Sequence, residues 1–163
     1  MNDRKSIAII SLFIIALALP FSNKAFHVDD TAFLYVGEQI KKEPFRPYSF
    51  AFEWGSDSGP ASHLLDTPLV SYYLALISLI FGKSEIALHV SFILFQLIAG
   101  ISFYFIAKKF IQSPLMASLL LVSTPTFLVN SHSLMLDVPM LSLFLLAVAL
   151  FVHGCDMGSH RLL

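Results

Sequence analysis

An all-α, polytopic membrane fold is predicted for this chain, with about four transmembrane helices and one or two interfacial helices in the first external loop. Three observations predict it. Hydrophobic residues fill 56 % of the 163 positions and charged residues only 13 %, with a mean hydropathy of +0.77; soluble globular domains have a smaller apolar share. Four apolar runs approach the roughly 17–25 residues that a helix needs to cross a hydrocarbon core about 30 Å thick. The long segment between the first two runs is wet, holding seven of the eleven acidic residues between Asn23 and Asp66. The net charge of −1 gives no electrostatic basis for binding nucleic acid, and the single cysteine, Cys155, excludes an intramolecular disulfide.

The first span is predicted over 6–22, behind Arg4 and Lys5. The same flank and the small-residue tract Ala16–Leu19 also fit a cleaved signal peptide, but Pro20, Phe21, Asn23 and Lys24 make a poor cleavage site, which favours a retained helix. The second span is 86–107, closed by Lys108 and Lys109; the third is 113–129 and the fourth 138–152. Together they form the membrane domain to which the whole of 1–163 is assigned. A fifth apolar run, Pro68–Gly82, is short, and whether it crosses decides the topology. If it lies in the outer interface, Arg4, Lys5, Lys108, Lys109 and Arg161 share the inner side, as the positive-inside rule expects. That topology is adopted here. The N-terminus is then cytoplasmic, segment 23–85 is an external loop of a cell (inner) membrane protein, and Lys41, Lys42 and Lys83 lie outside at a mild penalty.

Within the external loop, Phe33, Val36 and Ile40 recur at helical spacing from Thr31 to Lys42, with Glu38, Gln39, Lys41 and Lys42 off that stripe. This pattern predicts a short amphipathic helix lying along the membrane. Pro44, Pro47, Gly55, Gly59 and Pro60 then predict a loop, longer than a connector needs.

Acidic residues at the water boundary carry the chemistry. One aspartate of the pair Asp29–Asp30 is accounted for by capping a helix N-terminus, worth about 1 kcal/mol; a cap does not need two. In the adopted topology Asp137, just before Pro139, also sits at the outer face, where it too fits an N-terminal cap. Asp29, Asp30, Asp66 and Asp137 gathered at one interface have a further use, since ionisable groups near membrane depth mark function. One carboxylate can act as general base on an acceptor hydroxyl, and others can orient substrate or hold a divalent cation, the only cofactor this reading admits, with Asp66 and Asp137 as its candidate ligands.

The order His27-Val28-Asp29-Asp30, then Leu65-Asp66-Thr67-Pro68-Leu69, then Phe81-Gly82-Lys83-Ser84, then Ser131-His132-Ser133-Leu134-Met135-Leu136-Asp137 resembles the N-terminal part of the type-C membrane glycosyltransferases. It is similar above all to the dolichyl-phosphate-mannose protein mannosyltransferases and the lipid A aminoarabinose transferases. The resemblance implies a sugar transferase, of hexosyl or pentosyl type, that uses a polyprenyl-phosphate-linked sugar donor and a hydroxyl acceptor on protein, lipid or glycan, with membrane lipid as its surroundings. It implies that Asp29 or Asp30 is the catalytic base and that Asp137 is the second acidic residue of the site. Relatives have many more spans, so a fragment or truncated product is expected, with its activity alone in question.

The departures are specific. Asp66 stands where relatives have a Lys or His before prolines, and His89 and His132 stand where they have arginines. Neutral imidazole carries no charge, so phosphate binding there is expected to be weaker near pH 7 and stronger in acid. His89 and His132 are the residues expected near the phosphate, with Asp66 and His63 as further substrate contacts; each histidine has an ordinary interfacial or solvated alternative. Trp54 with Phe50 and Phe52 fits loop anchoring better than sugar stacking. The rival reading is a non-enzymatic membrane subunit, a transporter component or scaffold, whose carboxylates are caps and whose aromatic loop docks a partner.

Overall fold

The structure is a computed structural model and describes residues 2–65 and 68–159. It is built almost wholly of helices: α1 (Asp3–Ala18), α2 (Val28–Lys42), α3 (Ala61–Leu64), α4 (Leu69–Phe81), α5 (Glu85–Phe110), α6 (Pro114–Val122), α7 (Pro125–Ser131) and α8 (Asp137–Ser159). A single turn of 3-10 helix at Leu19–Phe21 extends α1. Three stretches are long and apolar enough to cross a membrane, Asp3–Phe21, Glu85–Phe110 and Asp137–Cys155.

The third expected span is not one straight helix. It divides into α6 and α7, which meet at 58°. Pro125 has no N–H to continue the α6 ladder, while the Ser123 and Thr124 hydroxyls bond back to the Leu119 and Leu121 carbonyls at 2.6 and 2.8 Å. Thr124 then caps α7 by accepting the Phe127 N–H. Local side-chain competition and a missing donor are ordinary causes of a sharp helix kink.

The bundle centre is formed by α1, α5, α6 and α8, with Ile10, Ile14, Ala99, Tyr104 and Val122 nearly inaccessible. Gly100 lets these helices close up: a Cβ there would meet Ile14 Cδ1 at 2.8 Å and Ile10 Cγ2 at 3.2 Å. Small residues at such crossings are how apolar helices gain contact where lipid offers no hydrophobic drive. At one end of the bundle, Asp3 accepts hydrogen bonds from Lys108 Nζ and from the Tyr104 hydroxyl, tying the start of α1 to the end of α5. Arg4, Lys5, Lys108 and Lys109 all belong to this end.

The other end carries α2, α3 and α4. Both ends of α4 remain there. Leu69 and Val70 at its start lie against Leu136, Pro139 and Leu143 of the α8 entry, whereas Lys83, just past its end, pairs with Glu38 of α2 at 3.4 Å. The apolar stripe of α2 packs on protein: Val36 and Ile40 are buried with Ala75 of α4, and Gly37 brings the α2 backbone close to Ser71 and Ala75. Tyr72 donates to the Pro44 carbonyl and Tyr73 to that of Ser91, so this tyrosine pair stitches helices together.

The segment expected to be loop contains an antiparallel hairpin, β1 (Ala51–Trp54) and β2 (Asp57–Pro60). Its two-residue turn has Gly55 at φ 63°, the left-handed conformation that mirror-image hairpin turns require. Phe52 and Ala61 bury against Ala32, which roots the hairpin on α2.

Candidate functional site

Asp29 and Asp30 occupy the second and third positions of α2, so one turn aims them in different directions. Asp30 is completely buried. Its Oδ2 accepts the His27 N–H at 2.7 Å, the reach-back of a helix N-terminal capping box. Its Oδ1 accepts the Leu134 N–H at 2.7 Å, more than a hundred residues along the chain. The carboxylate thus joins the α2 entry to the segment between α7 and α8. Asp29 is only partly buried and keeps access to solvent.

Three residues beyond Leu134, exposed Asp137 opens α8. The structure therefore brings the two acidic motifs to the same end of the bundle. Their approach is reinforced by Lys24, whose ammonium donates to the His132 carbonyl at 3.3 Å and to Ser133 Oγ at 3.2 Å. Gln96, buried within α5, donates to the Ser131 carbonyl at 3.0 Å and satisfies the end of α7. Lys24 and Gln96 are contributors that motif reading missed; the signal for Gln96 was an amide in an otherwise apolar span.

The two histidines expected near a phosphate do converge on this region. His89 is buried in the second turn of α5, bonds the Glu85 carbonyl through Nδ1 at 2.8 Å, and lies parallel to Phe26 with ring centres 6.0 Å apart. His132 stacks on Phe21 at 4.0 Å. The Nε2 atoms of both are buried with no hydrogen-bond partner among the described residues. Burial pushes the His132 imidazole below the usual histidine range, and the nearby Lys24 and His89 add to that against the pull of the Leu17 backbone carbonyl. Any gain in anion binding on protonation of His132 is thereby moved to more acidic pH.

The other expectations separate from this cluster. His63 is exposed on α3, beside the hairpin. Asp66 lies outside the described residues, as does the side chain of Trp54. Among the described residues no three His, Cys, Asp or Glu side chains come together as a metal shell. Glu38 belongs to a different patch, a cavity of about 250 Å³ lined by Phe26, Leu34, Tyr35 and Lys83. Burial would raise the Glu38 carboxyl, but the ammonium groups of Lys41 and Lys83 outweigh it and hold it below the usual carboxylate range.

Residues 65–163 match the family model described as dolichyl-phosphate-mannose-protein mannosyltransferase. No curated protein and no solved structure gives a significant match.

Proposed function

From the chain's membership of the dolichyl-phosphate-mannose-protein mannosyltransferase family, whose members are membrane glycosyltransferases, we propose that it moves a sugar from a polyprenyl-phosphate donor to a hydroxyl acceptor at the extracytoplasmic face. The observation that carries this reading is the Asp30 carboxylate held between the His27 and Leu134 amides. That bond requires the first acidic motif and the segment preceding Asp137 to share one side of the membrane.

The pair divides its labour. Asp30 has both oxygens committed to backbone amides and serves as the clasp; Asp29 has a carboxylate free to meet a substrate and is the general base. In the reaction, Asp29 takes the proton of the acceptor hydroxyl as that oxygen bonds to the anomeric carbon. The bond from that carbon to the phosphate oxygen breaks, and the electron pair leaves with the polyprenyl phosphate. Asp137 orients the acceptor by hydrogen bonding to it. Lys24, His89 and His132, the basic groups of the cluster, are assigned to the phosphate. The basic end containing Arg4, Lys5, Lys108 and Lys109 then faces the cytoplasm, and α2 with α4 lies in the opposite interface.

Asp29→Asn, Asp30→Asn and Asp137→Asn, each expressed in membranes, test this assignment by transfer of labelled sugar from a polyprenyl-phosphate donor. Asp29→Asn is expected to abolish transfer with normal membrane insertion and a loss of stability of no more than about 1 kcal/mol. Unchanged transfer in all three variants would remove the enzymatic reading in favour of a non-catalytic membrane subunit.

A further inference from the structure

The α6–α7 break lies in a stretch apolar enough to cross the bilayer, yet one side of it is polar. Ser123, Thr124 and Thr126 are exposed at the bend. From there a groove of about 260 Å³ runs to the first turn of α8, with Thr124, Thr126, Asn130 and Asp137 along it and Leu121 and Phe127 among its apolar walls. The opposite character appears on the adjoining face, where Met116, Leu120 and Val129 are exposed and suited to lipid.

Hydrocarbon does not tolerate uncovered hydroxyls, amides and interrupted backbone; such features persist at membrane depth where they line a water-filled cavity or are buried in protein. The groove's hydrogen-bonding balance narrows what it holds. Asn130 Nδ2 donates one of its two hydrogens to the Thr126 carbonyl at 3.0 Å, which leaves its carbonyl oxygen and one N–H for a ligand. Thr124 already donates to the Leu121 carbonyl. Asp137 adds acceptor oxygens and a negative charge, so the groove is rich in acceptors and repels anions. Its complement is a neutral ligand with several O–H donors, and its size and apolar walls suit the C–H face of one ring.

We propose that this groove is hydrated and seats a single sugar ring, which donates hydroxyl hydrogen bonds to Asp137 and Asn130. The proposal rests on the glycosyltransferase reading, and the ring belongs either to the donor or to a glycan acceptor.

The test uses the protein in its membrane with Cys155 changed to Ser and single cysteines introduced by Thr126→Cys, Asn130→Cys and Val129→Cys, probed with an impermeant maleimide. Because a thiol reacts as the thiolate, which forms where water reaches it, the first two are expected to label at least about tenfold faster than Val129→Cys. Polyprenyl-phosphate-linked sugar that slows this labelling, while sugarless polyprenyl phosphate does not, assigns the groove to the donor ring. Slowing by soluble methyl hexosides or pentosides assigns it to the acceptor. Equal labelling of positions 126, 129 and 130, protection by sugarless lipid phosphate, or no protection by any sugar overturns the proposal. The two introduced cysteines in the groove make the result independent of either one folding poorly. If Asp29→Asn abolishes transfer while no sugar protects the groove, the catalytic assignment stands and the sugar seat falls.

Discussion

Asp30→Ala takes away a carboxylate that is wholly inaccessible and that holds two backbone N–H groups, those of His27 and Leu134, each at 2.7 Å. Both amides lose their charged acceptor at once. Leaving a buried donor unsatisfied costs about 1–3 kcal/mol, so the pair sets a range of about 2–6 kcal/mol. The His27 amide is at the exposed edge of the helix and can recruit water, which places the expectation near 3 kcal/mol. For a chain of this size that corresponds to a fall in Tm of about 6–12 °C, at about 2–4 °C per kcal/mol. Asp30→Asn retains one acceptor oxygen but turns an NH₂ toward the other amide, and about half the loss is expected. Asp29→Ala is the control: a partly exposed carboxylate in the first turn contributes about 0.3–1 kcal/mol through the helix dipole. The measurement is thermal unfolding of the purified protein in detergent, followed by circular dichroism or by reactivity of buried cysteine probes. Thermal transitions of Asp30→Ala and the parent protein that coincide, or a larger fall for Asp29→Ala than for Asp30→Ala, would refute the assignment of clasp and base.

Gly100→Leu is expected to destabilise the bundle by about 1–3 kcal/mol or more, because even a methyl at this position crowds Ile14, and the loss is read as a lower Tm in the same assay. Gly37→Leu is expected to separate α2 from α4 and raise protease sensitivity in segment 43–65 while leaving the tie of Asp3 to Lys108 and Tyr104 intact. His132 supplies a pH dependence: its imidazole is held below 6.5, so the folded state binds fewer protons than the unfolded one. Stability from this group is full above about pH 6.5 and is lost as pH falls through the lowered folded value; His132→Gln should flatten the acid limb of a Tm-against-pH curve, below about pH 6.5.

Much of the architecture was legible because it depends on local composition. Long apolar runs with charged ends specify membrane-length helices wherever they pack, which is why α1, α5 and α8 lie close to the expected spans. The stripe Phe33, Val36, Ile40 likewise announced α2 from spacing alone. The kink between α6 and α7 was present in the letters as Ser123-Thr124-Pro125, yet hydropathy averaged over a window passes across it; the break arises from hydrogen bonds, to which such an average is blind. The hairpin at 51–60 was hidden for the opposite reason, since its strands are short and rich in turn residues, and packing of Phe52 against Ala32 and Ala61 holds them in place.

The candidate site shows the same division. Residue types and order, by themselves, determined which aspartates and histidines to consider, and that a membrane chain carried them in two separated motifs. They could not distinguish Asp29 from Asp30, because adjacent identical side chains differ only in what surrounds them. Tertiary structure decided it: helical geometry turns one carboxylate outward and buries the other against the Leu134 amide, a partner 104 residues away that enters range only when the helices have assembled.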